Sequence, residues 1–143
     1  MLDGCVCFSF FCSFLTAQKG KCIAGGVFLS MGFDYRVAVD SAHTYFHLNE
    51  LDNGFGLPVP LINLIANRTG SNQLLTQMAS FALKTSVQDG LRYGLVQAVF
   101  PDRNLAMAHV LEKAKLFAPK AVHRHVMSSI KESVNAPGLV PKL

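Results

Sequence analysis

From about Lys19 onward, the apolar and polar residues of this chain group into short segments of recognisable type. The largely apolar residues 35–39, which include two valines, predict a buried strand, and residues 44–46 predict a second short strand. A Gly25-Gly26 pair precedes a short apolar helix that ends before Asp34, and residues 49–58 are dense in turn formers. The first half therefore predicts strands joined by one short helix and a loop.

The second half of the sequence predicts mainly helices. A proline at position 58 or 60 begins one helix, Ser71 caps another over residues 71–80, and Gly94 ends a third. Residues 95–99 predict a strand, a long helix follows from position 101 or 102 to about 117, and a last helix runs from 119 to about 134. This mixed order predicts an α/β fold with a helical C-terminal part.

The N-terminal residues differ in character from the rest. Residues 5–15 are an apolar run that is too short to span a bilayer as a helix and that resembles the core of a signal peptide, although no Lys or Arg precedes it. We therefore treat residues 1–18 as an atypical apolar segment. One alternative is that this segment is foreign to the domain, and another is that the chain is a small secreted or membrane-associated protein. The four cysteines are Cys5, Cys7, Cys12 and Cys22. The spacing of these cysteines fits no zinc site, so we expect them to be reduced thiols.

Composition narrows the function classes. Half of the 143 residues are hydrophobic and only 15% are charged, which excludes a disordered chain. The apolar content exceeds what a small monomer needs, and this predicts a partner surface or a piece of a larger core. Ten Lys and Arg lie in residues 65–143, but they are scattered and no nucleic-acid motif accompanies them. Nucleic acid is therefore not a predicted partner.

Two positions suggest chemistry. The amide groups at a helix start have no intrahelical partner, so the Gly25 amide would be open to a ligand oxygen, although such a pair more commonly marks a tight helix–strand contact. Glu50 lies among apolar neighbours, which disfavour the charged carboxylate and favour proton transfer, although it would also suit an exposed loop. His43 and His47 lack the further ligands that a metal site would need, and no metal site is predicted.

Four motifs in order resemble the crotonase superfamily of enoyl-CoA hydratases and isomerases. They are Ala24-Gly25-Gly26 with its apolar helix, Asp34-Tyr35-Arg36, Asn49-Glu50 followed by Gly54 and Pro58, and Gly94-Leu95-Val96 after residues 85–91. The resemblance implies that residues 19–135 are the C-terminal half of a crotonase-like domain, a truncated ββα core with the helical part. It also implies a substrate site whose catalytic residues are Glu50 and Gly25, with Gly26, Phe28, Phe55 and Leu57 contacting the substrate.

The resemblance further suggests which reaction is catalysed. Hydratases of the family carry a second Glu at the position of Phe28, whereas one carboxylate suffices to move a double bond. The implied activity is therefore a Δ3,Δ2-enoyl-CoA isomerase of fatty-acid β-oxidation, in which Glu50 shuttles the proton. The alternatives are a hydratase, or an inactive crotonase-like fragment or subunit that acts through oligomer contacts, because the family's N-terminal half is not recognisable in this sequence.

Partners and compartment follow from the same resemblance and from the tail. The expected substrate is an acyl-CoA with no separate cofactor, and the expected assembly is a homotrimer. Residues 136–143 form a tail in which Pro141-Lys142-Leu143 resembles the Ser-Lys-Leu address read by the peroxisomal import receptor. A peroxisomal location is therefore expected, with the cytoplasm or the mitochondrion as alternatives.

Overall fold

The computed structural model describes residues 6–10 and 13–134. Its strands are β1 (Val6–Phe10), β2 (Ser13–Gln18), β3 (Lys21–Ile23), β4 (Tyr35–Val39), β5 (Tyr45–His47), β6 (Thr85–Ser86) and β7 (Ala98–Phe100). Its α-helices are α1 (Gly25–Met31), α2 (Val59–Thr69), α3 (Asn72–Leu75), α4 (Val87–Arg92), α5 (Arg103–Phe117) and α6 (Arg124–Val134). Short 3-10 turns cover Leu51–Asn53 and Ala118–Val122, and a π-helical turn covers Thr76–Ser80.

The strands form two sheets. The larger sheet has the order β1-β2-β4-β7, in which β1 is antiparallel to β2 while β2, β4 and β7 run parallel. The smaller sheet has the order β3-β5-β6, with β3 parallel to β5 and β6 antiparallel to β5. All three parallel pairs are joined by crossovers, so the carboxyl ends of the parallel strands lie at the same edge of each sheet.

Two apolar clusters hold these layers together. Helix α5 covers the larger sheet by packing Ala106, Val110 and Ala114 against residues of β2 and β4. The other cluster joins α1 and α2 to the smaller sheet and includes the fully buried Phe46. The α/β class with a helical C-terminal part, expected from the sequence, is confirmed.

Arg36 is buried between these parts and connects them. Its side chain is only 2% exposed, and it donates hydrogen bonds to the carbonyl oxygens of Leu95 (2.7 Å), Phe33 (2.6 Å) and Gly94 (3.0 Å). Loss of water around the guanidinium and the nearby charge of Arg68 both lower the pKa of Arg36, Asp34 opposes the shift, and the net result is a pKa of about 10. The group therefore remains charged at neutral pH.

Most predicted elements are confirmed, and three differ. Strand β7 lies at Ala98–Phe100 rather than at 95–99, because Leu95 and Val96 are buried in the turn where the Val96 amide bonds the Gly90 carbonyl (3.2 Å). The last helix begins at Arg124 rather than at residue 119, since His123 leaves helical geometry (ψ 63°). Residues 76–80, expected as α-helix, form the π-helical turn.

The N-terminal segment contains two strands where the sequence predicted none. Strand β2 lies inside the larger sheet between β1 and β4, and its residues Thr16, Ala17 and Gln18 are all buried. A strand covered on both faces lacks the alternation that marks a half-exposed one, so its sequence does not stand out. Residues 13–18 of the predicted atypical segment therefore contribute to the sheet. No helix in the described part of the chain is long and apolar enough to cross a membrane.

Candidate active site

Two parallel strands bring Gly25 and Glu50 to the same edge of the smaller sheet. Strands β3 and β5 pair with Ile23 opposite His47, and the chain continues from these positions to Gly25 and Glu50. The Ala24 amide donates to the His47 carbonyl at 2.8 Å, which extends the pairing one residue beyond β3. The two catalytic positions implied by the resemblance thus follow the carboxyl ends of adjacent strands, where ligands of parallel sheets commonly bind.

Gly25 and Gly26 are the first residues of α1. Their amide groups precede the first intrahelical hydrogen bond, as at every helix start. Gly25 is exposed, and apart from its own helix and chain neighbours no described atom lies within 4 Å of the position that a Cβ would occupy. There is therefore open space beside the Gly25 backbone on the side that a Cβ would occupy.

Ala24 makes the turn from β3 into α1 in a strained conformation. Its φ is 50° and its ψ is −121°, a region that residues with a Cβ rarely adopt. Such a conformation costs about 1–3 kcal/mol and is retained only where surrounding contacts hold it. The turn that presents the Gly25 amide is therefore fixed by its neighbours rather than by local preference.

Glu50 begins the Leu51–Asn53 turn, and its backbone is well held. The Glu50 carbonyl accepts from the amides of Asn53 (3.1 Å) and Phe55 (2.8 Å), and Gly54 closes the turn with a φ of 72°. Its carboxylate oxygen Oε2 is shielded from solvent and has no hydrogen-bond partner among the described residues. Such shielded oxygens without a partner are uncommon and unfavourable, so this atom has free capacity to accept a hydrogen bond from a bound group.

The four predicted substrate contacts lie in different surroundings. Phe28 is buried in the apolar cluster, Leu57 packs against the same cluster, and Gly26 is half-buried. Phe55 is 71% exposed and does not line a closed wall with the other two. Their contact with a substrate stays a prediction.

His47 has a place at this site that the sequence did not reveal. Its Nε2 lies 2.9 Å from the Ala82 carbonyl oxygen and 3.6 Å from Oδ2 of Asp52, which follows Glu50 on the turn. The sequence alone suggests His47 only as a possible metal ligand, because its contact with Ala82 spans 35 residues and has no local signal. In the described residues, no group of three or more His, Cys, Asp or Glu side chains is arranged to hold a metal ion.

The fold of the described residues agrees with one known family of proteins. The family model described as "Enoyl-CoA hydratase/isomerase" matches residues 12–140. The chain therefore belongs to this family, and the resemblance drawn from the four motifs is confirmed. The match includes residues 12–18, which the sequence analysis had set apart from the domain.

Curated relatives and solved structures agree with this assignment. The chain is 30% identical over 107 residues to the Delta(3,5)-Delta(2,4)-dienoyl-CoA isomerase, mitochondrial, of Homo sapiens, covering 75% of this chain and 32% of the relative. The Rattus norvegicus protein of that name is 30% identical over 93 residues, which cover 65% of this chain and 28% of the relative. The chain thus spans about a third of the length of the curated relatives it matches.

Two solved structures show the same fold at low identity. The human mitochondrial delta3-delta2-enoyl-CoA isomerase superposes with a TM-score of 0.68 at 23% identity, covering 81% of this chain and 45% of that one. The apo enoyl-CoA isomerase of Mycobacterium tuberculosis superposes with a TM-score of 0.67 at 22% identity, covering 80% and 48%. These likenesses establish the fold of the chain as crotonase-like.

Proposed function

We propose that the chain carries the base of an enoyl-CoA isomerase, which moves the double bond of a 3-enoyl-CoA to the 2-position. The single observation that supports this most is Glu50, whose Oε2 is shielded from water and has no hydrogen-bond partner among the described residues. The carboxylate follows β5 at the edge where Gly25 follows β3. One base is enough to move the proton in this reaction, and an amide donor stabilises the oxygen that becomes negative.

The proposed reaction balances with one carboxylate. Glu50 removes a proton from C2 of the 3-enoyl thioester, and the electron pair moves onto the thioester oxygen to give a dienolate. The Gly25 amide donates to that oxygen while it is negative. The carboxylic acid then returns the same proton to C4, which leaves the 2-enoyl thioester and regenerates the carboxylate. Because no redox or group-transfer step occurs, we propose that no cofactor beyond the coenzyme A of the substrate takes part.

Phe28 argues against the hydratase alternative. The resemblance places the second carboxylate of hydratases at this position, and here the side chain is an aromatic ring that is 9% exposed within the apolar cluster. A ring cannot activate water, so addition of water to the double bond would lack one of its two groups. We therefore expect no more than background hydration of a 2-enoyl-CoA.

A second candidate is a non-catalytic subunit that acts through contacts with other chains. It is favoured by α6, on which Val126, Ile130 and Val134 form an exposed stripe at helical spacing, and by the partial span of the relatives. Turnover separates the two candidates, because the subunit would assemble without converting substrate. Assembly as a homotrimer stays part of this proposal and would be measured by sedimentation.

The compartment is open to two proposals. The curated relatives carry the word mitochondrial in their names. The peroxisomal expectation depends on Pro141-Lys142-Leu143, which lie outside the described residues, and it stays a prediction. Localising the tagged full chain with and without these three residues would decide between them.

The decisive test is Glu50→Gln in the full chain, assayed by conversion of a 3-enoyl-CoA to a 2-enoyl-CoA. We expect kcat to fall by about 10²–10⁴, the usual contribution of general acid–base catalysis. Glu112→Gln, at an exposed position on α5, is the matched control and should leave kcat unchanged. Equal activity in Glu50→Gln and the parent chain would refute the role of Glu50, and a parent chain without turnover would favour the non-catalytic subunit.

A further inference from the structure

Both non-glycine residues with positive φ in the described part of the chain are hydrogen-bonded to one residue, His47. Ala24, with a φ of 50°, donates its amide to the His47 carbonyl at 2.8 Å. Ala82, with a φ of 48°, accepts through its carbonyl from Nε2 of the His47 ring at 2.9 Å. We propose that His47 is a positioning residue, which holds the Gly25 turn and the Glu50 turn in their relative places.

The backbone of His47 acts on the side of the Gly25 amide. A strained residue keeps its conformation only where its neighbours hold it, and the Ala24 amide has its partner in the His47 carbonyl. Gly25 follows Ala24 directly, so the direction of its amide group depends on the same turn. Strand β5 therefore fixes the donor of the site as well as the base that follows it.

The side chain of His47 acts on the opposite side. A carbonyl oxygen only accepts, so Nε2 carries the hydrogen in the bond to Ala82. The ring is only 12% exposed, which shields this bond from competing water. It ties β5 to the segment that leads into β6, where Phe81 and Leu83 expose 63% and 50% of their surface.

Asp52 links the same ring to the Glu50 turn. Its Oδ2 lies 3.6 Å from Nε2, and Asp52 belongs to the Leu51–Asn53 turn that Glu50 begins. The Asp52 side chain is 59% exposed, so this contact alone is weak. It adds to the bond with Ala82, and the two contacts form a continuous series from Ala82 through the His47 ring to the Glu50 turn.

The effect on turnover rests on the proposed function, whereas the effect on the turn rests on geometry alone. A base that removes and returns a proton has to be held within about 0.5 Å of its productive place. The experiment therefore measures the turn directly, by hydrogen exchange at the amides of Asn53 and Phe55, which both donate to the Glu50 carbonyl. Turnover of 3-enoyl-CoA is measured beside it.

His47→Leu replaces the ring and its donor with an apolar side chain of similar size, while His47→Gln supplies an amide group as an alternative donor. In His47→Leu we expect exchange at Asn53 and Phe55 to accelerate about 5- to 10-fold, as for loss of one hydrogen bond, and His47→Gln to restore most of the protection. His109→Leu is the matched control. His109 is also half-buried and has a 2.9 Å contact from Nε2 to the Tyr35 hydroxyl, but it lies on α5.

In His47→Leu we also expect kcat to fall at least about tenfold with KM within about twofold, again with recovery in His47→Gln. Exchange at Asn53 and Phe55 within twofold of the parent, or an equal change in His109→Leu, would overturn the proposal. If His47→Leu does not fold, the same measurement is made with Ala24→Gly and Ala82→Gly added, since glycine removes the strain at both turns. If the parent chain itself shows no turnover, altered exchange in His47→Leu would refute the proposed function and leave the role of His47 supported.

Discussion

Arg36 and Glu50 are both ionisable side chains set into the fold, and they differ in how their polar atoms are satisfied. Arg36 is 2% exposed, and all three of its side-chain nitrogens donate to carbonyl oxygens. Glu50 is only half-buried as a residue, but its Oε2 is shielded from solvent and the described residues offer it no hydrogen bond. A satisfied charge of the first kind organises the fold, whereas an unsatisfied oxygen of the second kind costs stability unless a group outside the described residues binds it.

The backbone around the two residues differs in the same sense. The loop that accepts from Arg36 takes its positive φ at Gly94 (80°), where no Cβ is present to oppose it. The turn beside the candidate site takes its positive φ at Ala24 (50°), where a Cβ does oppose it. Unfavourable backbone and an unfavourable oxygen therefore occur together at one edge of the smaller sheet, as is usual for functional sites.

The largest effect is expected from removing the satisfied charge. Arg36→Leu leaves the carbonyls of Leu95 and Phe33 without their donor and removes the shorter of the two bonds to the Gly94 carbonyl, so we expect the free energy of unfolding to fall by about 3–5 kcal/mol. Urea denaturation followed by circular dichroism measures it. Arg103→Leu, at an exposed position on α5, should change the value by no more than about 0.5 kcal/mol. A loss below about 1 kcal/mol at Arg36 would remove the contrast with Glu50.

Features of the fold that depend on residues close in sequence could be predicted. Ser71, Ser86 and Asp102 each cap a helix by accepting from an amide three residues ahead, and this spacing can be recognised in any sequence. The strand over residues 35–39 was recognised because its largely apolar stretch has no turn former. Strand β2 was missed because both of its faces are covered, and nothing local separates such a strand from other apolar runs.

The candidate site likewise combines features that local motifs predict with features that depend on contacts far apart in sequence. Gly25 and Glu50 were identified from motifs, but only the parallel pairing of β3 and β5 shows that they share an edge. The partners of Arg36 at Gly94 and Leu95 lie 58 and 59 residues away, and Ala82 lies 35 residues from His47. Contacts of this range are fixed by the packing of the whole fold, so a single sequence without that packing leaves them undetermined.

An effect of opposite sign to that at Arg36 is expected from Glu50→Leu. The substitution removes a shielded oxygen that has no described partner and adds apolar surface, so we expect the free energy of unfolding to rise by about 1–2 kcal/mol while turnover is lost. In Glu112→Leu, at an exposed position on α5, the free energy of unfolding should stay within about 0.5 kcal/mol of that of the parent chain. A destabilised Glu50→Leu would mean that the carboxylate supports the fold as Arg36 does.

The smallest effect is expected at the strained turn. Ala24→Gly removes the Cβ that opposes a φ of 50°, and the relief exceeds the added freedom of the unfolded chain, so we expect a gain of about 1 kcal/mol in the free energy of unfolding. Ala108 lies at an exposed position in the middle of α5, where the helical backbone suits alanine. Ala108→Gly should therefore lower the free energy of unfolding by about 1 kcal/mol. Thermal denaturation of the two variants compares them directly. If both lose stability, Ala24 is not strained, and only the Glu50 oxygen would then distinguish the site from the region around Arg36.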